Sequence, residues 1–108
     1  MTMNEYQDLA ARTINHELDW SEVRNHALFE MCSETGEIHS FFQKQYQGHM
    51  IDMEKLAYEC GDLLWGLAEL CTSLGFTMDD IATMNIEKLK KRYPDGFSAE
   101  RSVHREEA

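Results

Sequence analysis

The sequence predicts an all-α fold: an antiparallel four-helix bundle-like domain, residues 1–108, assembled as a homo-oligomer. Apolar residues recur at helical spacing along four segments, and the 108 residues include one Pro and six Gly. So few helix breakers leave little room for linkers or a β-sandwich. The third segment is apolar on nearly all sides between Leu63 and Leu74. Four helices cannot surround such a helix, so a second copy should cover it, in a homodimer or a dimer-of-dimers tetramer.

The first two helices are predicted from their apolar stripes. The first covers about residues 3–16 and the second about residues 22–46. The segment 17–21 between them, which contains Trp20, is predicted to be a connection. Gly48 marks the turn that leads into the third helix, so the second and third helices should form a hairpin.

The last two helices are predicted from their end signals. Asp52 is a suitable N-cap for a third helix over about residues 53–74, and Gly75 should end it. Thr77, with an acidic residue three positions later, resembles a capping box. It should open a fourth helix that continues to about Tyr93, where a Pro-Asp-Gly sequence stops it.

The charge is strongly negative and unevenly distributed. A net charge of -10 argues against a nucleic-acid partner, because duplex binding needs a basic face. Residues 1–87 hold four basic and sixteen acidic side chains, whereas residues 88–108 hold six basic and four acidic ones. The positive end suits a small polyanion, although most of its lysines are explained by a helix C-terminus. The polar tail, about residues 95–108, is predicted to be extended.

The sequence predicts a cytoplasmic protein without a membrane segment. The first residues contain no basic n-region and no apolar h-region, so a signal peptide is not expected. No apolar run approaches the about 18 residues that a membrane span needs. Cys32, Cys60 and Cys71 lie among apolar residues of predicted helices and form no Cys-x-x-Cys. They are predicted to be reduced core cysteines, as is typical of cytosolic proteins.

Two acidic pairs flank the predicted turn. Glu34 and Glu37 have i,i+3 spacing, as do Glu59 and Asp62, so each pair puts two carboxylates on one helix face. Gly48 is eleven residues from the inner members and fourteen from the outer ones. An antiparallel hairpin therefore brings the pairs to one height, roughly 16 Å from the loop. Converging carboxylates repel unless a cation lies among them, and oxygen ligands suit Mg²⁺ or Mn²⁺.

A solvated acidic face is the alternative interpretation, because twenty Asp and Glu in 108 residues also produce such pairs by chance. The symmetry about the turn argues against chance. So do Gly36 and Gly61, one inside each pair. A glycine inside a helix costs about 1 kcal/mol relative to Ala, so we expect a helix or ligand to approach the backbone closely there. The residues alone favour a metal site.

The acidic pairs and the segment after them resemble a known family. The runs Ser33–Glu37 and Glu59–Trp65, with the segment Asn85–Phe97, are similar to the MazG-like all-α nucleoside triphosphate pyrophosphohydrolases. The similarity extends over about residues 25–105. One acidic pair alone is a weak signal. Both pairs at this separation, followed by Asn-x-x-Lys and Arg-Tyr-Pro, are a strong one.

The resemblance implies an enzyme that hydrolyses a (deoxy)nucleoside triphosphate to the monophosphate and pyrophosphate, in housecleaning of the nucleotide pool. By this resemblance Glu34, Glu37, Glu59 and Asp62 are the catalytic residues and hold Mg²⁺, with Mn²⁺ as a possible substitute. Water attacks the α-phosphorus and pyrophosphate leaves, with the cation neutralising the phosphate oxygens.

The resemblance also implies four substrate contacts. Asn85 and Lys88 match phosphate or sugar contacts on the fourth helix. Lys44 falls where many relatives have a lysine at the end of the second helix, and ordinary solvation is its alternative. Trp20 resembles an aromatic residue that packs on the base in dCTP-type members, and a packing role is its alternative.

Two departures from the family pattern leave details open. Ser33 stands where many relatives carry an extra Glu, so the number of ions and the carboxylate that activates water are undetermined. Gly66 stands where an aromatic residue often follows the Trp, so the nucleotide pocket is expected to be wider. The sequence does not identify the base.

Two other protein classes compete with this interpretation. A ferritin-like di-iron site requires Glu-x-x-His on two helices, and this chain has none. The five histidines are predicted to be solvated, with His26 partly buried. A non-catalytic helical interaction or regulatory module is the alternative from a different class. Release of pyrophosphate and monophosphate from nucleotides with Mg²⁺ distinguishes it from an enzyme.

Overall fold

The computed structural model describes residues 1–104, and every regular element in that range is a helix. The helices are α1 Met3–Ala11, α2 Trp20–Gln45, α3 Met53–Leu74, α4 Met78–Arg92 and α5 Ala99–Val103. An isolated bridge between Pro94 and Gly96 is the one strand-like pairing within residues 1–104. The predicted all-α fold is confirmed. None of the described helices is long and apolar enough to traverse a membrane.

The ends of α1 and α2 differ from the prediction. The Asp19 side chain accepts the backbone N–H of Glu22, which starts α2 at Trp20, two residues earlier than predicted. Trp20 is therefore the first helical residue and not part of a connection. α1 ends at Ala11 instead of about residue 16. The Thr13 hydroxyl donates to the Ala10 carbonyl at 2.7 Å, and the last N–H groups bond three residues back, which tightens and ends the helix.

The predicted ends of α3 and the start of α4 are confirmed. Asp52 caps α3 by accepting two backbone N–H groups, and Gly75 ends it with φ +79°. Thr77 caps α4 by accepting the Asp80 N–H. Gly48, with φ +90°, lies in the turn between α2 and α3. A side chain is strained at such positive φ values, so glycine fixes both turns.

The antiparallel pair α2 and α3 forms the main body, and α1 packs against α3 and α4. A buried glutamine, Gln7, fastens α1 in place. Its Nε2 donates to Thr72 Oγ1 at 3.1 Å and to the Phe76 carbonyl at 2.9 Å, and its Oε1 accepts the Met78 N–H at 2.8 Å. Beside it lies the core cluster of Ala68, Cys71 and Met78. These contacts hold α1 across the turn between α3 and α4.

The cysteine prediction is partly wrong. All three cysteines are free, but only Cys71 is buried, whereas Cys32 and Cys60 are exposed. α2 and α3 each keep a face that no other element of the described chain covers, and these two thiols lie there.

The described part of the C-terminal tail is not extended as predicted. α5 follows the Ser98 N-cap, and Arg101 folds back on α4. Its Nε donates to the Arg92 carbonyl at 2.6 Å and its Nη2 to the Lys91 carbonyl at 3.3 Å. These bonds satisfy carbonyls that the end of a helix leaves unpaired. Residues 105–108 of the predicted tail lie outside the described range.

The chain is more open than its length predicts. Its Cα radius of gyration is 17.2 Å, whereas a compact chain of this length has about 13 Å. α4 packs on the core through Met78 and Ile81, and beyond them Met84, Ile86 and Leu89 are exposed. A complete four-helix bundle and a homo-oligomer therefore stay predictions for this chain.

Candidate active site

Three carboxylates converge where α2 faces α3. Glu34, Glu59 and Asp62 each place one oxygen within 4.8 Å of those of the other two. Glu34 and Glu59 are half-buried and Asp62 is exposed. The i,i+3 spacing on α3 points both of its carboxylates at α2, as predicted for Glu59 and Asp62, whereas only Glu34 of the α2 pair joins them. The hairpin thus brings together carboxylates that lie 25 residues apart, as Glu34 and Glu59 do.

The electrostatics of this cluster are unfavourable without a cation. Sharing of a proton with Glu59, then burial, and then the carboxylates of Glu30 and Asp62 raise the pKa of Glu34 to about 8 from its usual 4.5. The Oε2 atom of Glu34 is buried and has no hydrogen-bond donor in the described part of the chain. A buried carboxylate oxygen without a donor is costly, so this atom is suited to receive a positive charge.

Glu30 is an acidic neighbour that the sequence analysis missed. It lies one turn before Glu34 on α2, is half-buried, and contributes to the raised pKa of Glu34. The i,i+4 spacing of the two residues is its signal in the sequence. Glu30 therefore adds a fourth carboxylate to the same face of the hairpin.

Glu37 lies outside the three converging carboxylates and faces an adjoining cavity. The cavity has a volume of about 300 Å³ and lies toward the turn of the hairpin. Its lining residues are Glu37, Ser40, Phe41, Lys44, His49, Met50, Asp52, Lys55 and Glu59. Glu59 belongs both to the converging carboxylates and to this cavity. Lys44, predicted from sequence, and Lys55, which was missed, give the cavity a cationic side.

The donor set of the cluster fits a hard divalent cation. It consists of carboxylate oxygens only, and such oxygens are the ligands that Mg²⁺ and Mn²⁺ prefer. The buried Oε2 of Glu34 supplies an independent reason, since it lacks any other partner in residues 1–104. The geometry therefore defines a candidate metal site of Glu34, Glu59 and Asp62.

The other predicted substrate contacts lie apart from the cavity. Trp20, at the start of α2, is 58% exposed. Asn85 and Lys88 are exposed on α4, and neither lines the cavity beside the carboxylates. Of the four predicted contacts, the structure brings only Lys44 into the cavity.

The glycines near the site act differently from what the sequence suggested. Gly36 and Gly61 are exposed, and a Cβ added to either would meet no atom within 4 Å, so the expected close approach is not found within residues 1–104. Gly66 is buried, and a Cβ added there would lie 2.8 Å from Cγ of Met31. Gly66 therefore lets α2 and α3 approach closely, and it does not widen a nucleotide pocket.

Comparison with known proteins agrees with this geometry. The sequence model of the MazG nucleotide pyrophosphohydrolase domain matches residues 24–97, a range that includes the converging carboxylates and most of α2, α3 and α4. Neither the curated proteins nor the solved structures gave a significant match. Because the family match covers well over half of the chain, this protein belongs to the MazG nucleotide pyrophosphohydrolase family.

Proposed function

We propose that this protein hydrolyses a (deoxy)nucleoside triphosphate to the monophosphate and pyrophosphate with Mg²⁺ as its cofactor. The observation that carries the proposal is the convergence of Glu34, Glu59 and Asp62 within the matched domain, with a buried Glu34 oxygen that has no donor. Removal of faulty or surplus nucleotides from the pool is the cellular role that suits this reaction.

Glu34, Glu59 and Asp62 would hold the cation, with Glu37 beside them in the lining of the adjoining cavity. When bound, a divalent cation neutralises phosphate oxygens and stabilises the charge that develops on the leaving group. The attacking water forms a bond to the α-phosphorus and gives its proton to a carboxylate oxygen of this site. The bond from the α-phosphorus to its bridging oxygen breaks, and that oxygen leaves with pyrophosphate.

The lysines of the cavity suit the leaving pyrophosphate. Lys44 comes from the end of α2 and Lys55 from the first turn of α3, so two ammonium groups line the side of the cavity toward the turn. Asp52, which caps α3, lines the same end of the cavity, so the two lysines suit a ligand that brings both a bound cation and free phosphate charge. This arrangement supports Lys44 as a phosphate contact and adds Lys55 to it.

We also infer that the active form is a homodimer or a dimer of dimers. Exposed apolar side chains support this assembly, with Phe29 73% and Tyr46 96% exposed, as does the large radius of gyration. Asn85 and Lys88 lie on the part of α4 whose apolar side chains are uncovered. If a second copy packs on that part of α4, Asn85 and Lys88 of one copy would reach the phosphate site of the other. Trp20 would stack on the base.

Nucleotide turnover tests the proposed reaction. Purified protein with Mg²⁺ should convert one or more of the eight common NTPs and dNTPs to monophosphate and pyrophosphate, and EDTA should stop the reaction. Glu59→Gln should reduce turnover more than about hundredfold with unchanged helicity, because a ligand of the cation is lost. Glu54→Gln, on the exposed side of the same helix, is the matched control.

Absence of turnover over the whole panel would favour the alternative, a non-catalytic helical interaction module. Normal turnover in Glu59→Gln would reject the site while leaving the reaction in place. Sedimentation measures the assembly separately: a compact, active monomer at micromolar concentration would contradict the oligomer. In that case Asn85 and Lys88 would have to act within one chain.

A further inference from the structure

A second acidic side chain is buried between α2 and α3, away from the converging carboxylates. Glu69 is 3% exposed, and both of its oxygens lie close to Nδ1 of His26, at 2.8 and 3.1 Å. A buried carboxylate needs such a donor, so the Nδ1 proton of His26 is held by Glu69. The proposed reaction makes no use of either residue.

The imidazole of His26 is held on a second side. Its ring meets the edge of Trp65 at a centroid distance of 6.2 Å and an interplanar angle of 86°. The Trp65 indole N–H in turn donates to Thr13 Oγ1 at 2.8 Å, which ties that ring to the segment after α1. Nonetheless, 49% of the His26 side chain is exposed. The ring is therefore fixed in orientation and still reachable from solvent.

Fixing Nδ1 defines what the other ring nitrogen does. With its proton on Nδ1, a neutral imidazole presents Nε2 as a hydrogen-bond acceptor. The described part of the chain supplies no hydrogen bond to Nε2. With a neutral imidazole, the pair His26–Glu69 thus offers one oriented acceptor to a ligand, with Glu69 acting only through His26.

The place of this acceptor along the hairpin suits the nucleoside end of a substrate. His26 precedes Glu34 by eight residues on α2, and Glu69 follows Asp62 by seven on α3. These separations correspond to roughly 12 and 10 Å along the helices. Lys44 and Lys55 lie on the opposite, turn-ward side of the carboxylates. A triphosphate whose phosphates face the lysines extends its nucleoside toward His26.

We propose that His26, oriented by Glu69, contacts the nucleobase and that its Nε2 accepts a hydrogen bond from an exocyclic amino group. The proposal rests on the proposed function, since it assumes that the carboxylates hold the triphosphate. The ligand class is an amino-bearing base, and Glu69 is a positioning residue. Bases that carry a carbonyl at the same place leave Nε2 facing another acceptor and are disfavoured.

Matched nucleotide pairs test this contact. dCTP and dUTP differ in an amino group against a carbonyl, as do dATP and dITP. We expect the wild type to favour the amino member of at least one pair in kcat/KM. His26→Ala should reduce that preference about tenfold or more, through KM more than kcat. His39→Ala, an exposed histidine on the same helix, should leave the preference unchanged.

Two further variants separate a base contact from a structural role. In Glu69→Gln the amide can donate to Nδ1, which moves the ring proton to Nε2, so the preference should weaken and the carbonyl member should gain. His26→Gln keeps an acceptor near the position of Nε2 and should retain part of the preference. Circular dichroism and melting temperatures show whether each variant is folded.

The proposal is overturned if His26→Ala keeps the wild-type preference. It is also overturned if His26→Ala is folded and its kcat/KM falls by the same factor for both nucleotides of each pair. A wild type without turnover rejects the proposed reaction, and calorimetry then decides on the base contact. Binding of dCMP against dUMP, and of dAMP against dIMP, with Mg²⁺ needs no hydrolysis. A preference for the amino member that His26→Ala removes would support the contact, and no such preference would overturn it.

Discussion

The hairpin of α2 and α3 holds two acidic side chains with buried oxygen atoms, Glu69 and the half-buried Glu34, that differ in how their charge is compensated. Glu69 accepts a hydrogen bond from His26, so this carboxylate is satisfied by the chain itself. Glu34 has a buried oxygen without a donor within residues 1–104 and faces Glu59, Asp62 and Glu30. The described chain satisfies the Glu69 carboxylate but leaves one buried oxygen of Glu34 without a donor, about two turns away. This difference identifies where an external cation would be most stabilising.

The raised pKa of Glu34 reflects the same difference between Glu34 and Glu69. Without a cation, the nearby Glu59 carboxylate and burial raise this pKa to about 8, because a shared proton reduces the repulsion between the carboxylates. A divalent cation would replace that proton. The region around Glu69 needs no such replacement.

The largest expected effect is stabilisation by the cation. Adding Mg²⁺ to the wild type in a calorimetric melt should raise the free energy of unfolding, by about 2.7 kcal/mol at one hundred times the dissociation constant. Glu59→Gln should lose most of this gain. Glu69→Gln should keep it, because Glu69 is not among the candidate ligands of the cation. Equal gains in both variants would contradict the distinction between the two regions.

Removing the charge of each carboxylate should change metal-free stability in opposite directions. Glu69→Gln replaces a charge-assisted hydrogen bond and should lower the free energy of unfolding by about 1–2 kcal/mol. Glu34→Gln removes the cost of keeping a proton on a carboxyl whose pKa is raised to about 8, and it should raise the free energy of unfolding. Urea titrations in EDTA at pH 7 measure both changes, with Glu54→Gln as the exposed control. Two changes of the same sign would show that the regions do not differ in this way.

The pH dependence of metal-free stability follows from Glu34. Its folded pKa, about 8, lies above its usual 4.5, so the folded state holds the proton more tightly than the unfolded state does. The associated stability is complete below about pH 4.5 and is lost as the pH rises through about 8. Urea titrations in EDTA should show this decline in the wild type relative to Glu34→Gln. With Mg²⁺ present, the stability of the wild type should instead rise with pH relative to Glu34→Gln, because the cation binds the deprotonated Glu34 carboxylate.

The sequence predicts the hairpin and the approach of Glu34, Glu59 and Asp62 from local signals, whereas Glu37, predicted to join them, lies outside the cluster. Asp52, Gly75 and Thr77 act on backbone groups within four residues, and the spacing about Gly48 sets the register of α2 against α3. The end of α1 was missed because Thr13 competes for a helical carbonyl, which an apolar stripe does not reveal.

Other parts of the site depend on contacts between distant residues. Glu69 is the one charged residue in the apolar run of α3, and its partner His26 is 43 residues away. No spacing rule connects them. Lys55 faces the same cavity as Lys44 only because the hairpin turn sets its side chain there. Gly66 was expected to widen the nucleotide pocket, because many relatives carry an aromatic side chain there. In the structure, Met31 of the neighbouring helix occupies the space beside Gly66.

The smallest expected effects are those of variants at the two ends of the substrate, the phosphates and the base. If the phosphates face the cavity and the base faces the His26 region, variants at the two ends should differ in kind. Lys55→Ala should lower kcat/KM by a similar factor for every nucleotide, because all share the triphosphate. Lys88→Ala should do the same if α4 of a second copy supplies a phosphate contact. Lys90→Ala is the control on the same helix.

Trp20→Ala should act at the other end and act weakly. Stacking of a base on an aromatic ring contributes about 1–3 kcal/mol in single-strand systems. The indole of Trp20 is 58% exposed, so the lower end of that range applies and KM should rise about fivefold. Because stacking acts chiefly on binding, kcat should change less than KM. The measurement is a kinetic panel over several dNTPs, with wild type in parallel. Unchanged KM and unchanged nucleotide preference would make Trp20 a packing residue and leave base recognition to the region around His26.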